Sequence, residues 1–114
     1  MEDKLYYYKF VLTRVIDGDT VVGNIDLGFN FILQNQNLRL LYIDTPEVRG
    51  ADKVQGLIAK EFLIDLISDR NIIIHSFNKD SFGRVLAELF IEKTDGWISA
   101  NAVLLNEGLA LPYI

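Results

Sequence analysis

The sequence contains no cysteine, one histidine and two prolines among its 114 residues. The lack of cysteine excludes disulfides, thiolate zinc sites, iron–sulfur clusters and cysteine nucleophiles. A metal site in this chain would therefore use oxygen ligands, which suit hard cations. The single histidine, His75, lies in the apolar run NIIIHSF, where we interpret it as a strand residue rather than a catalytic one.

The chain also lacks long apolar runs and an excess of positive charge. Runs such as 71–77 and 102–105 are far shorter than the ~20 residues that a membrane-spanning helix needs, so we expect no membrane partner. The start of the chain, MEDKLYYYKF, has no basic region before an apolar core. This favours the cytoplasm over secretion, with a signal removed before Met1 as the alternative. The net charge of −5 and the pI of about 4.7 argue against a broad basic surface and leave room for a local basic site.

The remaining composition is that of a globular protein. Hydrophobic residues make up 50% of the chain and charged residues 24%, and no stretch has the composition of a linker, a repeat or a low-complexity tract. A chain of this length buries roughly two thirds of the surface that its unfolded form exposes. We therefore expect a single domain over residues 1–114 and favour a monomer.

The order of predicted elements indicates a mainly β fold. Residues rich in β-branched and aromatic side chains predict strands over 6–15, 20–27, 31–43, 72–77 and 84–91. An Asp-Gly turn within VIDGDT joins the first two strands as a hairpin. Three strands, a helix, two strands and a helix do not alternate as βαβ units do. We therefore expect a mainly antiparallel sheet that closes into a small five-stranded barrel, with two or three helices.

Two of these helices have specific sequence signals. Apolar residues recur at Ile58, Phe62 and Leu66, and at Leu63 and Ile67, which predicts a helix over 51–67 with a broad buried face. A shorter helix is predicted over 99–107. Its expected N-cap is Ser99 or Asn101, and its expected left-handed terminator is Gly108.

Residues 38–47 read LRLLYIDTPE, an apolar strand that contains Arg39 and ends in acidic residues. Because side chains alternate along a strand, Arg39 is predicted to share a buried or partly buried face with Leu41 and Ile43. A guanidinium in a dry site needs a partner, since an unpaired one costs several kcal/mol. By the same alternation Asp44 faces the other side unless the strand bends, so the pattern alone does not pair it with Arg39.

Three short motifs have ordinary structural interpretations when each is taken alone. DGDT at 17–20 is typical of an Asx-stabilised turn, and DTPE at 44–47 is typical of a strand exit. FGR at 82–84 is typical of a glycine turn that enters a strand. The tyrosines at 6–8 could present a stacking surface for bases, or they could pack along the first strand, which we favour.

In combination, the motifs resemble the staphylococcal nuclease family. The resemblance lies in VIDGDTV (15–21), LRLLYIDTPE (38–47), DSFGRVLAELFI (80–91) and NAVLLNEGLA (101–110). These segments follow one another in the family's order and at nearly its spacing. The resemblance implies an OB-fold barrel with a Ca²⁺-dependent phosphodiesterase site. The chain ends where the family usually continues into another helix, so it is either a compact variant or a fragment.

The resemblance also implies roles for the acidic residues. Asp19 and Asp44 would bind the metal through their carboxylates, Thr45 through its backbone carbonyl, and Glu47 would act as general base on a water molecule. Two carboxylates about 4 Å apart repel each other by roughly 4 kcal/mol at an effective dielectric constant of 20. Gathering them is therefore unfavourable until a divalent cation binds. Calcium takes six to eight oxygen ligands, so water and substrate would complete its shell.

Phosphate binding is the role that the resemblance implies for the arginines. Arg39 and Arg84 would hold the scissile phosphate in bidentate fashion, and Arg84 would assist the leaving oxygen. Tyr113 resembles a tyrosine that stacks near the base. Ser81 and Phe82 stand where the family has a lysine and a tyrosine, so Phe82 lines the substrate site without a hydroxyl, and the grip on nucleic acid is expected to be weaker and more salt-sensitive.

The function that follows from the resemblance is hydrolysis of DNA, and secondarily RNA, to 3′-phosphate ends. The alternative is a noncatalytic OB-fold module that binds single-stranded nucleic acid or a protein partner. A third is a structural or inhibitory domain that keeps these residues by descent. Loss of catalysis normally appears at the acidic and arginine positions, and the chain retains Asp19, Arg39, Asp44, Glu47 and Arg84. This observation favours the enzyme.

Overall fold

The computed structural model describes residues 2–113. Its strands are β1 Tyr7–Asp17, β2 Thr20–Asp26, β3 Ile32–Leu40, β4 Ile43–Asp44, β5 Ile72–Lys79, β6 Val85–Lys93, β7 Gly96–Ser99 and β8 Leu111–Pro112. Its helices are α1 Lys53–Ile67 and α2 Ala100–Asn106, preceded by a single 3-10 turn, Glu2–Lys4. Neither of the α-helices that the structure describes is long and apolar enough to cross a lipid bilayer.

Five strands close into a barrel. Antiparallel pairing gives the order β3, β2, β1, β5, β6, and a parallel pairing of residues 38–40 with residues 85–87 joins β3 to β6. Residues 90–93, at the C-terminal end of β6, pair with β7. The predicted five-stranded, mainly antiparallel barrel with two helices is therefore confirmed, and its form is consistent with an OB-fold.

Aliphatic side chains fill the barrel and alternate along its strands. In β6, Val85, Ala87, Leu89 and Ile91 are buried, while the residues between them are half-buried. Successive side chains of a strand point to opposite faces, which produces this pattern. Helix α1 packs against β1 and α2, and α2 packs against β6 and β7. The helices therefore complete the apolar core around the barrel.

The third strand ends earlier than the sequence predicts. β3 stops at Leu40, and Tyr42 adopts a left-handed backbone conformation with φ of 65°. After this turn, Ile43 and Asp44 pair with residues 111–112 of β8 instead of extending β3. The turn breaks the alternation, so Ile43 is fully buried in the core and does not share the face of Arg39. The prediction that it does is wrong.

The buried face of α1 also differs from the prediction. Its fully buried residues are Gly56, Ala59, Leu63 and Ile67, whereas Ile58 is 47% exposed. Gly56 lies against the backbone of Glu47, and Ala59 lies against the turn at Gly18, so small residues let the helix approach both segments closely. Periodicity identified the helix correctly. Leu63 and Ile67 are buried as predicted, and Phe62 and Leu66 pack partly buried against the core, whereas the predicted burial of Ile58 is wrong.

The caps of α2 follow the sequence signals. Ser99 is the N-cap, and its Oγ accepts a hydrogen bond of 3.2 Å from the backbone N–H of Ala102. Gly108 follows the helix with φ of 72°, which is the left-handed geometry of a helix terminator. Asn101, the alternative cap, is buried; its side chain instead accepts from Leu89 N–H and donates to the Leu41 carbonyl.

Gly56 brings α1 into direct contact with the segment that carries Glu47. A Cβ atom at Gly56 would collide with the carbonyl carbon and oxygen of Glu47. A larger residue at this position would therefore require one of the two backbones to move. The position of the segment that follows β4 depends on this glycine.

We predict that Gly56→Ala destabilises the protein, although alanine favours a helix by up to ~1 kcal/mol. Overpacking costs about 1–3 kcal/mol, and a clash with a backbone carbonyl belongs at the upper end of this range. After the gain in helix propensity, the free energy of unfolding should fall by about 1–2 kcal/mol in chemical denaturation. Gln55→Ala, an exposed position in the same turn, is the control and should change it by less than about 0.5 kcal/mol. A Gly56→Ala protein as stable as the wild type would contradict the close packing.

Candidate active site

The turn of the first hairpin holds Asp19 at the end of the barrel. Gly18 and Asp19 form the turn between Asp17 and Thr20, which pair as the last residues of β1 and the first of β2. The buried Asp19 carboxylate accepts a hydrogen bond of 3.0 Å from the Thr20 hydroxyl at Oδ1 and another of 3.0 Å from the Thr45 N–H at Oδ2. Asp19 thus links the hairpin to the segment that follows β4.

The turn packs tightly against this segment and against α1. A Cβ atom at Gly18 would lie 2.8 Å from Cβ of Ala59 and 2.9 Å from Oγ1 of Thr45. Thr45 is itself buried, and its Oγ1 has no hydrogen-bond partner among residues 2–113. The structure therefore places an unsatisfied hydroxyl oxygen directly beside the turn that carries Asp19.

Arg39 contacts the carboxylates of both Asp19 and Asp44. Its Nη1 donates to the carbonyl oxygens of Leu40 at 2.8 Å and Ile43 at 2.9 Å, which closes the left-handed turn between these residues. The same Nη1 lies 3.4 Å from Oδ2 of Asp19, and Nη2 lies 3.4 Å from Oδ1 of Asp44. The cation within the apolar strand is thus paired with two carboxylates, and its side chain is only 13% exposed.

These two ion pairs are loose. Charge-assisted hydrogen bonds between nitrogen and carboxylate oxygen usually measure about 2.7–2.9 Å, whereas both contacts of Arg39 measure 3.4 Å. The Asp44 side chain is 56% exposed, so water and ligands can reach it. Glu47 is exposed as well, and its side chain has no hydrogen-bond or ion-pair partner in the described part of the chain. Glu47 lies outside the contacts that join Asp19, Arg39 and Asp44.

Arg84 is the second cation of the site, and Asp80 holds it. Arg84 Nε donates to Oδ2 of Asp80 at 2.6 Å, while Oδ1 of Asp80 accepts from the backbone N–H groups of Phe82 and Arg84, each at 2.9 Å. The role of Asp80 was missed by the sequence analysis. An acidic residue four positions before the arginine, in a polar turn, was the available signal.

The two arginines line one cavity of about 380 Å³. The Phe82 ring is 82% exposed and lies 5.5 Å from Cζ of Arg84, and the exposed Tyr113 ring lies 5.8 Å from Cζ of Arg39. Tyr42 borders the same cavity. The structure thus brings together the predicted phosphate-binding arginines and the two predicted substrate-contacting rings.

The pKa of the Asp80 carboxyl group is lowered. Burial by itself would raise the pKa of its carboxyl, but the hydrogen bonds from Arg84 and Phe82 and the charge of Arg84 outweigh burial, so the pKa lies below its usual value of 3.8. The protein therefore stabilises the ionised form of Asp80, which keeps Arg84 fixed at neutral pH.

The side-chain oxygen atoms at this site are of the type that binds hard cations, but there are too few of them to fill a coordination shell. Among residues 2–113, no three His, Asp or Glu side chains gather into a group that could hold a metal ion. Asp19 and Asp44 nevertheless face one guanidinium, and the unsatisfied Oγ1 of Thr45 lies against Gly18, the residue before Asp19. Calcium binds six to eight oxygens, so this set can supply only part of its shell.

Comparison with known proteins establishes the family. The family model described as "Staphylococcal nuclease homologue" matches residues 37–114. The chain belongs to the staphylococcal nuclease family. The matched segment contains Arg39, Asp44, Thr45, Glu47 and Arg84.

Three relatives of this nuclease-family chain are similar over most of its length. It is 31% identical over 132 residues to an uncharacterized protein of Methanocaldococcus jannaschii, covering 96% of the chain and 60% of the relative. It is 35% identical over 108 residues to the thermonuclease of Staphylococcus hyicus, covering 90% and 57%. It is 28% identical over 109 residues to a probable endonuclease of Phaeosphaeria nodorum, covering 90% and 33%. The chain thus spans between a third and three fifths of the length of these relatives.

We predict that Asp80→Asn lowers the thermal midpoint at about pH 7 and that this difference is smaller at about pH 3, below the unfolded-state pKa of the carboxyl. The folded-state pKa of Asp80 is depressed, so its contribution is fully present above the unfolded value of about 3.9 and is lost as the pH falls through the lower folded value. Thermal melts across this range measure the effect. Asp95→Asn, at an exposed turn, is the matched control. An equal difference at both pH values would rule out the ion pair as its cause.

Proposed function

We propose that this member of the staphylococcal nuclease family hydrolyses the phosphodiester bonds of DNA, with RNA as a second substrate, in a Ca²⁺-dependent reaction that leaves 3′-phosphate ends. One observation carries the proposal: Arg39 contacts the carboxylates of Asp19 and Asp44 and lines one cavity with Arg84. Acidic oxygens and two guanidinium groups at one place suit a metal-assisted reaction at a phosphate.

The arginines can bind the substrate phosphate while they keep the hydrogen bonds that hold their guanidinium groups in place. The bond from Arg84 Nε to Asp80 fixes the guanidinium and leaves both terminal nitrogens without a protein partner in the described chain. Arg39 is fixed through Nη1 by two carbonyl oxygens, which leaves Nε and part of Nη2 available. Planar guanidinium groups bind phosphate in bidentate fashion, so both arginines are preorganised donors.

Asp19, Asp44 and the backbone carbonyl of Thr45 would hold the calcium ion. The bound ion supplies a fixed double positive charge that stabilises negative charge on nearby oxygens. In its absence, Arg39 offsets the repulsion between the two carboxylates, and the loose 3.4 Å contacts let this pairing rearrange. The exposure of Asp44 leaves one side of the site open to water and to the phosphate.

Water is the nucleophile in this proposal. The chain has no cysteine, and the ring of its single histidine, His75, stacks on Tyr7 with centroids 4.2 Å apart. Glu47, an exposed carboxylate without a partner, would accept a proton from the attacking water. The new P–O bond forms as the bond from phosphorus to the 5′ oxygen breaks, and Arg84 would stabilise the departing oxygen. Negative charge that develops on the phosphoryl oxygens falls between Arg39 and Arg84.

We expect the purified protein to degrade single-stranded DNA in calcium and to leave it intact in EDTA. Gel electrophoresis measures the loss of polymer, and end-labelling identifies the 3′-phosphate. Glu47→Gln keeps the size and removes the base, so its turnover should fall by at least about 100-fold with little change in thermal midpoint. Binding without cleavage in calcium would support the noncatalytic module instead. Cleavage of equal rate in Glu47→Gln would remove Glu47 from the mechanism.

We predict that Arg39→Lys lowers turnover by about 100-fold or more, because a lysine offers a point charge in place of a planar fork. The lysine side chain is one bond shorter, so its single nitrogen cannot replace Nη1 at the Leu40 and Ile43 carbonyls and Nη2 at Asp44 together. The thermal midpoint should therefore fall by a few degrees as well. Steady-state kinetics on DNA and thermal melts measure the two effects. Arg70→Lys, at an exposed position, is the control and should change neither. Unchanged turnover in Arg39→Lys would exclude a role of Arg39 in the reaction.

A further inference from the structure

A second cavity of about 540 Å³ lies beside Glu47 and is rich in positive charge. Its charged lining residues are Arg14, Lys60, Arg49, Asp17 and Glu47. Three cations therefore face two carboxylates, in a chain whose net charge is −5. The cations come from β1, from α1 and from the segment between β4 and α1, so the tertiary fold brings them together.

The three cations of this cavity form no close ion pair with the carboxylates that the structure describes. Within residues 2–113, the side chains of Arg14, Arg49 and Lys60 form no hydrogen bond and no ion pair, whereas Arg39 and Arg84 are both paired. Of the two carboxylates, Asp17 is engaged through Oδ1 by the backbone N–H of Val48 at 3.3 Å. Unpaired cations that converge on a concave surface attract a polyanion.

The backbone of residues 44–49 connects this cavity to the candidate active site. The N–H of Thr45 bonds to Asp19, and the N–H of Val48 bonds to Asp17, so the segment runs along the end of the first hairpin. Its Asp44 end contacts Arg39, and its Arg49 end lines the cationic cavity. Asp44 and Glu47 are three residues apart and thus at most about 11 Å apart. A single strand bound at the candidate active site can therefore continue into this cavity.

The chemistry of the cavity suits a phosphate backbone rather than bases. Its described lining contains no aromatic side chain, so it offers no surface for base stacking. Guanidinium and ammonium groups bind phosphates irrespective of sequence. The rings that could contact a base, Phe82 and Tyr113, line the other cavity.

We propose that Arg14, Arg49 and Lys60 form a phosphate-binding subsite for a continuous nucleic-acid strand, beside the proposed scissile phosphate and on the Glu47 side of it. The inference rests on the proposed nuclease function and deepens it. A strand bound in both cavities passes over Glu47. The proposed general base then lies next to the phosphodiester bond that joins the two bound segments.

The test is equilibrium binding of a fluorescent single-stranded DNA of about ten nucleotides, a length within the usual site sizes of OB-folds. Anisotropy is measured in EDTA, where the proposed hydrolysis does not occur, over a range of salt concentrations. The variant with Arg14→Gln, Arg49→Gln and Lys60→Gln should bind about tenfold more weakly at low salt. The slope of log K against log salt should be shallower by about 2, since each single-strand phosphate contact contributes about 0.7.

A variant with the same loss of charge is the matched control. Lys4→Gln, Arg70→Gln and Lys93→Gln remove three cations outside the cavity and should leave both the affinity and the slope near the wild-type values. If the two triple variants weaken binding equally, net charge alone explains the effect and the subsite is excluded. A wild-type protein without measurable binding excludes it too. Thermal melts verify folding, and the single variant Arg49→Gln, at an exposed position, should lower the slope by about 0.7 if the triple variant does not fold.

Oligonucleotide length provides a second readout. In the wild type, affinity should rise as the DNA lengthens from two to about six nucleotides, and the cavity variant should lose this gain. Cleavage in calcium is then measured separately. Cavity-dependent binding without cleavage would reject the nuclease function and keep the subsite, whereas cleavage with unchanged length dependence would keep the nuclease function and reject the subsite.

Discussion

The geometry of the candidate site depends on how one buried guanidinium is satisfied. Arg39 lies at the end of an apolar strand, where an unpaired cation would cost several kcal/mol. Its bonds to the carbonyls of Leu40 and Ile43 stabilise the turn at Tyr42, and its charge faces Asp19 and Asp44. The contacts that neutralise Arg39 are therefore the same ones that gather the acidic side chains. Stability and the proposed chemistry rest on a single set of interactions.

Close backbone packing keeps these groups in place. Gly18 lets the first hairpin turn lie against Thr45 and Ala59, and Gly56 lets α1 lie against the backbone of Glu47. The segment from Asp44 to Glu47 is thus held between a hairpin and a helix rather than left as a free loop. The two cavities that border this segment, one with Arg39 and Arg84 and one with three unpaired cations, concentrate positive charge in an otherwise acidic protein. This local concentration makes a polyanionic substrate compatible with a net charge of −5.

Much of the fold could be predicted because local signals agree with it. The Asp-Gly hairpin, the barrel strands, the Ser99 cap and the Gly108 terminator all follow short-range rules that the structure obeys. The errors arose where tertiary contacts override those rules. A left-handed Tyr42 moved Ile43 into the core, and small residues of α1 make its close contacts in place of Ile58. Asp80 was missed because its role depends on the spatial approach of Arg84 in the folded turn.

The set of chemical groups and the family follow from the amino-acid sequence alone. That sequence excluded thiol chemistry, supplied oxygen ligands and arginines, and set the order of strands and helices. Which of these groups meet depends on the folded chain. Strand alternation directs Asp44 away from Arg39, and the turn at Tyr42 brings the two side chains within 3.4 Å of each other. The tertiary structure likewise decided that Arg14, Arg49 and Lys60 share one cavity, since cations on three separate elements converge only after the barrel has closed.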